Sequence, residues 1–377
     1  MGFRSQKLIF RPASLLLLLL GQIQLFAQNI PALGSDTCID AACWNVEWLG
    51  DASNGPSNEK LQLSNATAII RKTNLDLWAL CEVSSPAVWD SLKKNMPGYS
   101  GVISTWSQTQ KTALLFRDSL FKLIYSRHIL PVYDREFASG RLPLEVALQT
   151  HMGGKTDTLY VIVIHLKANT GTTAEKADAY DLRKRSSEAL KEYLDLQKNK
   201  KMLVLGDWND DLDQSIYNNL ASPFIKILAD TANYFFTSKA LTLAGQRSTT
   251  GYNNMIDHHL VNRALKHYYI QSSAAVFRPD AYIVGYASNT SDHYPVWARF
   301  DFRRNPPVFS GLQHPTMPIF NGSSWILQGE ILRSFRLFSC SGRELNADAN
   351  AQAPGWYVGE WKTESGKVLR KLIPCGF

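Results

Sequence analysis

Leu203-Val204-Leu205-Gly206-Asp207-Trp208-Asn209-Asp210 is the stretch on which the reading of the fold turns. Residues 202–205 form a short apolar run, as a strand buried on both faces would. Gly206 is expected to break that strand, and Asp207 and Asn209 come at once after it. In layered α/β folds, ligands gather just beyond the carboxyl ends of strands, so a rigid strand would deliver Asp207 to such a place. Taken alone, an aspartate after a strand is more often a turn former or a helix cap. The weight comes from four other strand ends with the same habit.

Upstream, residues 39–48 read as a strand with Asn45 near its end. Residues 58–72 read as an amphipathic helix with Leu61, Ala66, Ile69 and Ile70 on one side. Residues 75–83 are a second buried strand, ending in the carboxylate of Glu82. A helix over 87–95 is stopped by Pro97. Further strands are expected at 112–116, 121–125 and 142–150, with Arg141 just ahead of the last. Residues 159–165 make the strongest strand and end in His165. A long charged helix, 174–198, returns the chain to the Asp207 strand, and strand–helix–strand order fits α/β layering.

Downstream, 216–228 is expected to be helical. Residues 249–261 contain a strand carrying Asp257. The adjacent His258 and His259 invite a zinc reading, but strand alternation sends them to opposite faces. Ser291-Asp292-His293 opens the last strand, to Phe302. Three neighbours cannot form a Ser–His–Asp triad with one another, because a triad converges from separated positions.

The chain has 377 residues, 45% hydrophobic and 19% charged, enough for one large domain and a small one. Arg4, Lys7 and Arg11 precede the apolar run 15–20, and Ala27 offers a cleavage residue. Residues 1–27 therefore read as a secretory signal peptide, too short for a stable membrane span. The net charge of +7 falls to +2 once three basic leader residues and the seven basic and five acidic residues from Pro306 onward are set aside. Global charge thus gives no argument for a nucleic-acid partner. Of the five cysteines, Cys43 and Cys81 read as small buried hydrophobes, and Cys340 and Cys375 could pair with each other.

Collected at strand ends are Asn45, Glu82, His165, Asp207, Asn209, Asp257, Asp292 and His293. Hard oxygen donors dominate and no thiolate is among them, which suits Mg²⁺, Mn²⁺ or Ca²⁺ better than zinc. With two histidines added, the set points to metal-assisted hydrolysis of a phosphoester.

Trp44-Asn45-Val46-Glu47, Ala79-Leu80-Cys81-Glu82-Val83, His165-Leu166-Lys167-Ala168, Gly206-Asp207-Trp208-Asn209, Ile256-Asp257-His258 and Ser291-Asp292-His293-Tyr294-Pro295-Val296 stand in the order of the endonuclease/exonuclease/phosphatase superfamily, which looks like deoxyribonuclease I. The resemblance implies a four-layer α/β/β/α sandwich over 38–303. It implies Glu82 as principal metal ligand, Asn45 and Asp292 completing or supporting the site, and Mg²⁺ as the cofactor. It implies His293 as general base oriented by Asp257, and Asp207 and Asn209 positioning the nucleophile and a phosphate oxygen. His165 would stabilise the phosphate in the transition state, and Arg141 would contact phosphate. Glu47 is either a second ligand or a surface residue. Gln110 stands about where deoxyribonuclease I-like members place a carboxylate beside their first histidine, so His165 would be held less strongly in its protonated form.

After a linker at 304–311, alternating apolar segments punctuated by glycine imply a small all-β sandwich over 312–377. Its order is similar to the C-terminal sorting domain of type IX secretion substrates in Bacteroidetes; a carbohydrate- or protein-binding module is the alternative. The expectation is a secreted or surface-attached monomeric phosphodiesterase, exported through the periplasm by the type IX machinery and acting on nucleic acid. The alternative is a phosphatase or sphingomyelinase-like enzyme on the same core, for which Tyr234-Phe235-Phe236 is a candidate membrane-touching run, although a run of this kind is more often core. A third reading, a binding protein that has lost activity, has the intact constellation against it.

Overall fold

The structure is a computed structural model that describes residues 29–304 and six strands between Ile319 and Cys375. The leader, the linker beyond residue 304 and the Cys340–Cys375 pairing lie outside the described residues. The chain divides into two compact units, Met1–Pro306 and Pro307–Phe377.

The first unit is built on two six-stranded mixed sheets. The strands are β1 (Ile39–Leu49), β2 (Leu77–Val83), β3 (Tyr99–Ile103), β4 (Lys111–Arg117), β5 (Phe121–His128), β6 (Leu144–Met152), β7 (Lys155–His165), β8 (Lys201–Asp207), β9 (Tyr234–Phe236), β10 (Asp257–Asn262), β11 (Ala275–Val276) and β12 (Val296–Phe300). One sheet runs β11-β12-β1-β2-β4-β3 and the other β5-β6-β7-β8-β10-β9. The helices that cover them are α1 (Glu59–Thr73), α2 (Pro86–Lys94) and α3 (Thr173–Asp195). Each starts where a side chain accepts from an orphan backbone N–H: Asn58, Ser85 and the Thr172–Glu175 capping box.

Strand alternation separates three apolar layers. Cys43, Ala79 and Leu114 meet Val146, Val161 and Leu203 between the sheets. Trp44, Trp78 and Leu80 turn outward against Ile69 and Ile70 of α1 and Trp89 of α2. Ile162, Ile164 and Val204 turn to the opposite flank, under Leu190 and Leu194 of α3. Full burial of each such aliphatic side chain stabilises by roughly 1.5–3 kcal/mol. The result is the helix–sheet–sheet–helix sandwich that the motif order implies.

Two local expectations are corrected. Gly206 does not break β8: it pairs with Ile164 on one side and His258 on the other. It is glycine because the backbones approach closely, with φ at 143° and a Cβ there only 2.0 Å from the Ile164 carbonyl oxygen. Residues 216–228 are not one helix; only Ile225–Ala229 is helical in that stretch. Buried Asp210 gathers the preceding loop, accepting from the backbone N–H of Asp211 and Ile216 and from the Ser215 hydroxyl at 2.8–2.9 Å, and Pro223 then interrupts the chain ahead of the short helix. Tyr234-Phe235-Phe236 is strand β9, with Tyr234 and Phe236 buried and Phe235 packed against Tyr269, so it is core.

In the second unit, β13 (Ile319–Phe320), β14 (Trp325–Leu327), β15 (Glu330–Ser339), β17 (Gly355–Thr363) and β18 (Val368–Cys375) pair antiparallel in sequence, with β16 (Glu344–Leu345) beside β15. Among the described residues, no helix of the chain is long and apolar enough to cross a membrane.

Candidate active site

Topology alone brings the strand-end residues to one end of the sandwich. β1 and β2 are parallel, with Asn45 opposite Cys81, which places Asn45 beside Glu82. β7 and β8 are parallel, with His165 opposite Asp207. β10 runs antiparallel to β8, so its first residue, Asp257, faces Asp207. β12 runs antiparallel to β1, with Val296 opposite Cys43, so residues 291–295 enter at the same end.

One amide bridges carboxylates of both sheets there. Asn45 Nδ2 donates to Glu82 Oε1 and to Asp207 Oδ2, each at 3.1 Å. Asn45 Oδ1 accepts from Glu47 N–H at 3.0 Å, so Asn45 supports the two carboxylates while its oxygen is engaged by backbone. Trp48 N–H holds the second oxygen of Glu82 at 3.1 Å. Asp207 Oδ2 lies between the imidazoles, 3.5 Å from His165 Nε2 and 3.9 Å from His293 Nε2. His293 Nδ1–H donates to Asp257 Oδ2 at 2.8 Å. Arg141 Nη1 lies 2.9 Å from Nδ1 and 2.6 Å from Nε2 of His165, and 3.2 Å from Gln110 Oε1. Gln110 thus reaches His165 only through Arg141. Asn209 Nδ2 donates to the Leu166 carbonyl and its N–H to Asp207 Oδ1, tying the ends of β7 and β8 together. Asp292 is the exposed member, with Oδ1 3.9 Å from His293 Nε2.

The backbone is strained where these side chains emerge. Glu82, Glu47, Trp48 and Asn209 all have φ between 49° and 64°, a region that costs non-glycine residues energy and persists when surroundings over-determine it. The restraint on Glu47 comes from a residue that carries no motif. Gln62 of α1 is 1% exposed, and its Nε2 donates to the carbonyls of Val46 at 2.9 Å, Glu47 at 2.7 Å and Thr290 at 3.2 Å. Leu61, expected on the buried side of that helix, is 37% exposed instead. Ser291 Oγ donates to Asn45 O at 2.6 Å and accepts from His293 N–H at 2.9 Å. Trp44 Nε1 and the Tyr286 hydroxyl both donate to the His293 carbonyl. A polar residue on a helix gives no sign in sequence that it clamps a distant strand end, so Gln62 and Tyr286 could be found only in three dimensions.

Burial dominates the charges. It raises the carboxyl pKa of Glu82, and that of Asp207, to which Asp257 and Glu82 add. Burial, with Asp292 beside it, pushes Glu47 up to about 7. His165 is held well below its ordinary value, first by burial and then by Arg141 and His293. A guanidinium has only donors, so its closeness to the His165 ring disfavours a second proton there, and the ring is neutral. Burial also opposes charge on His293, but the carboxylates of Asp257, Asp292 and Asp207 outweigh it and its pKa is raised well above the usual value.

The donor set fits a hard divalent cation. Glu82, Asp207, Asp292 and Glu47 offer oxygen donors at this end; burial first, and neighbouring carboxylates after it, raise the pKa values of Glu82, Asp207 and Glu47, and Glu47 Oε2 is buried without a hydrogen-bond partner. Asp207, Asp257 and His293 also each bring one donor atom within 4.8 Å of the others. His293 Nδ1 is already committed to Asp257, which favours the Glu82 side for a cation.

A model of the endonuclease/exonuclease/phosphatase family matches residues 42–293. The chain belongs to that family. Its members are phosphoric ester hydrolases, and the fold and the carboxylate–histidine site agree with that class. Among solved structures, it is similar to a humanized D. rerio TDP2 (16% identity, 70% of this chain and 99% of that one, TM-score 0.52). It is similar also to the human Nocturnin catalytic domain (17%, 70% and 94%, 0.50) and to a family member from Bacteroides vulgatus (15%, 70% and 98%, 0.52). At these identities the likeness concerns the fold. Comparison with curated proteins finds no match.

Proposed function

We propose that this protein is a secreted, divalent-metal-dependent phosphodiesterase that cuts nucleic acid through attack of water on phosphorus. The observation that carries the reading is the meeting of Glu82, the His293–Asp257 pair and the Arg141–His165 pair around the carboxylate of Asp207. When bound at Glu82, with Asp292 and Glu47 in reach and Asn45 in support, Mg²⁺ (or Mn²⁺ or Ca²⁺) supplies positive charge that polarises a phosphate oxygen.

The other steps belong to side chains. Asp257 fixes the Nδ1–H tautomer of His293, and a cation beside the same carboxylates would offset the negative charge that otherwise keeps the ring protonated, leaving Nε2 to take a proton from the attacking water. Asp207, 3.9 Å from that nitrogen, orients the water. Neutral His165 keeps a ring N–H for a non-bridging oxygen, and Arg141 brings full positive charge behind it. Asn209 holds the Asp207 loop in the conformation this requires.

A D. rerio TDP2 of the same fold is known in complex with single-strand DNA product, which supports nucleic acid as the substrate class. The location of Tyr234-Phe235-Phe236 in the core leaves the sphingomyelinase-like alternative without its membrane-contact candidate. Export rests on the leader at 1–27, and we assign the all-β unit as the type IX sorting domain of a monomeric enzyme. The test is purified mature protein with Mg²⁺, Mn²⁺ or Ca²⁺, against an EDTA control, offered plasmid DNA, RNA, sphingomyelin and phosphoinositides. Metal-dependent cleavage of DNA or RNA is expected. Cleavage of lipid alone would overturn the nuclease reading.

A further inference from the structure

Two exposed aromatic rings stand on the loops that rim the site, one at each end. β4 runs antiparallel to β2, with Lys111 opposite Val83, so the loop at 104–110 opens at the Glu82 end. Trp106 in that loop is 37% exposed. Its ring lies 5.6 Å from that of His128 and beside Gly140, the residue before Arg141. Lys111 Nζ donates to the Trp106 carbonyl at 2.6 Å, and Gln110 of the same loop holds Arg141.

At the other end, the loop at 248–254 leads into Asp257. Thr249 pairs with His293, and Thr250 N–H donates to the Asp292 carbonyl at 2.7 Å. Thr249 Oγ1 donates to the carbonyl of Tyr252 and accepts from its N–H, and Tyr252 is 68% exposed. Between these loops runs the line of phosphate-handling groups: Arg141, His165, Asp207, His293. Trp106 stands at its Arg141 end and Tyr252 at its His293 end.

We propose that Trp106 and Tyr252 are stacking platforms for the bases on either side of the cleaved phosphate, which makes a single strand with an internal phosphodiester the substrate of this site. The proposal rests on the phosphodiesterase reading and goes beyond it. Arg141 and the histidines handle a phosphate and carry no information about a base. Exposed Trp and Tyr rings accept the face of any base, so stacking favours unpaired nucleotides without reading their sequence. The Lys111 ammonium beside Trp106 adds attraction for the neighbouring phosphate. A phosphomonoester has nothing to place on the second ring.

The experiment compares a mixed-sequence single-stranded DNA octamer with an octamer of the same charge in which tetrahydrofuran replaces every nucleoside, both with Mg²⁺ or Mn²⁺. The parent enzyme should show a KM for the base-bearing octamer at least roughly tenfold lower than for the abasic one. Trp106→Ala and Tyr252→Ala should each shrink that ratio by roughly fivefold or more, while Trp106→Phe and Tyr252→Phe keep most of it. Equal KM values in the parent, or an unchanged ratio in the alanine variants, would overturn the stacking proposal and leave the nuclease reading standing. Cleavage of neither octamer would overturn both.

Discussion

At the scale of single residues, the site depends on side chains that do no chemistry. Gln62 holds three backbone carbonyls from inside α1, two of them on the strained turn that presents Glu47 and Trp48, whose N–H holds Glu82. Gln62→Leu keeps the volume and leaves those carbonyls without a donor, a loss of about 1–3 kcal/mol for each buried group left unsatisfied. The variant should melt several degrees lower, with kcat reduced more than KM, because Glu82 is displaced from the transition state before substrate binding is lost. Unchanged kcat with only a lower Tm would make Gln62 purely structural. The residues that were legible in sequence, Asn45, Glu82, His165, Asp207, Asp257 and His293, announce themselves because each stands at or within a few residues of a strand end. Gln62, Tyr286 and Trp106 do not, since their partners lie far away in sequence.

At the scale of elements, β8 and β10 carry the site between them. Gly206→Ala would drive a methyl group to 2.0 Å from the Ile164 carbonyl oxygen at a φ of 143°, forcing β7 and β8 apart. The expected outcome is loss of more than about 3 kcal/mol in denaturant unfolding, with no soluble yield as the extreme case. A stability within about 1 kcal/mol of the parent would show that the strands can separate cheaply.

On the same face of β10 as Asp257, His259 is fully buried, and burial, with His258 beside it, lowers its pKa to about 3. The folded-state pKa lies below the unfolded value of about 6.5. Its contribution is therefore complete above pH 6.5 and is lost as pH falls toward 3, where the unfolded chain binds a proton that the native one refuses. Relative to the parent, His259→Leu should gain up to about 2 kcal/mol between pH 7 and pH 5. Urea unfolding of both proteins at the two pH values measures it, and a pH-independent difference would contradict the assignment. Strand boundaries near these residues were read closely from apolar runs. The supposed helix at 216–228 failed because its pattern said nothing of Asp210, which organises the loop from below.

At the scale of the whole molecule, the chain divides into two compact units between Pro306 and Pro307. The catalytic unit closes with Phe302, buried and stacked on Tyr268 at 4.8 Å, so truncation from Pro306 removes nothing from its core. The truncated protein should be as active as the full chain but retained in the periplasm of its host, as cell fractionation would show. Continued export would refute the sorting role. The layered order of the first unit was legible because six motifs fall at strand ends in one order. The second unit offered only alternation and glycine, which establish strands but not a partner.

The central claim is that these converging groups make water attack phosphorus, and it is tested most directly by hydrolysis of a single-stranded oligonucleotide in ¹⁸O-labelled water with Mg²⁺ or Mn²⁺, for the parent and for His293→Ala. The parent should place one ¹⁸O on each new phosphate terminus, and His293→Ala, still folded by circular dichroism, should be slower by roughly 10²–10⁴-fold. A His293→Ala protein with full activity, or a parent that leaves every phosphodiester intact under these conditions, would contradict the account.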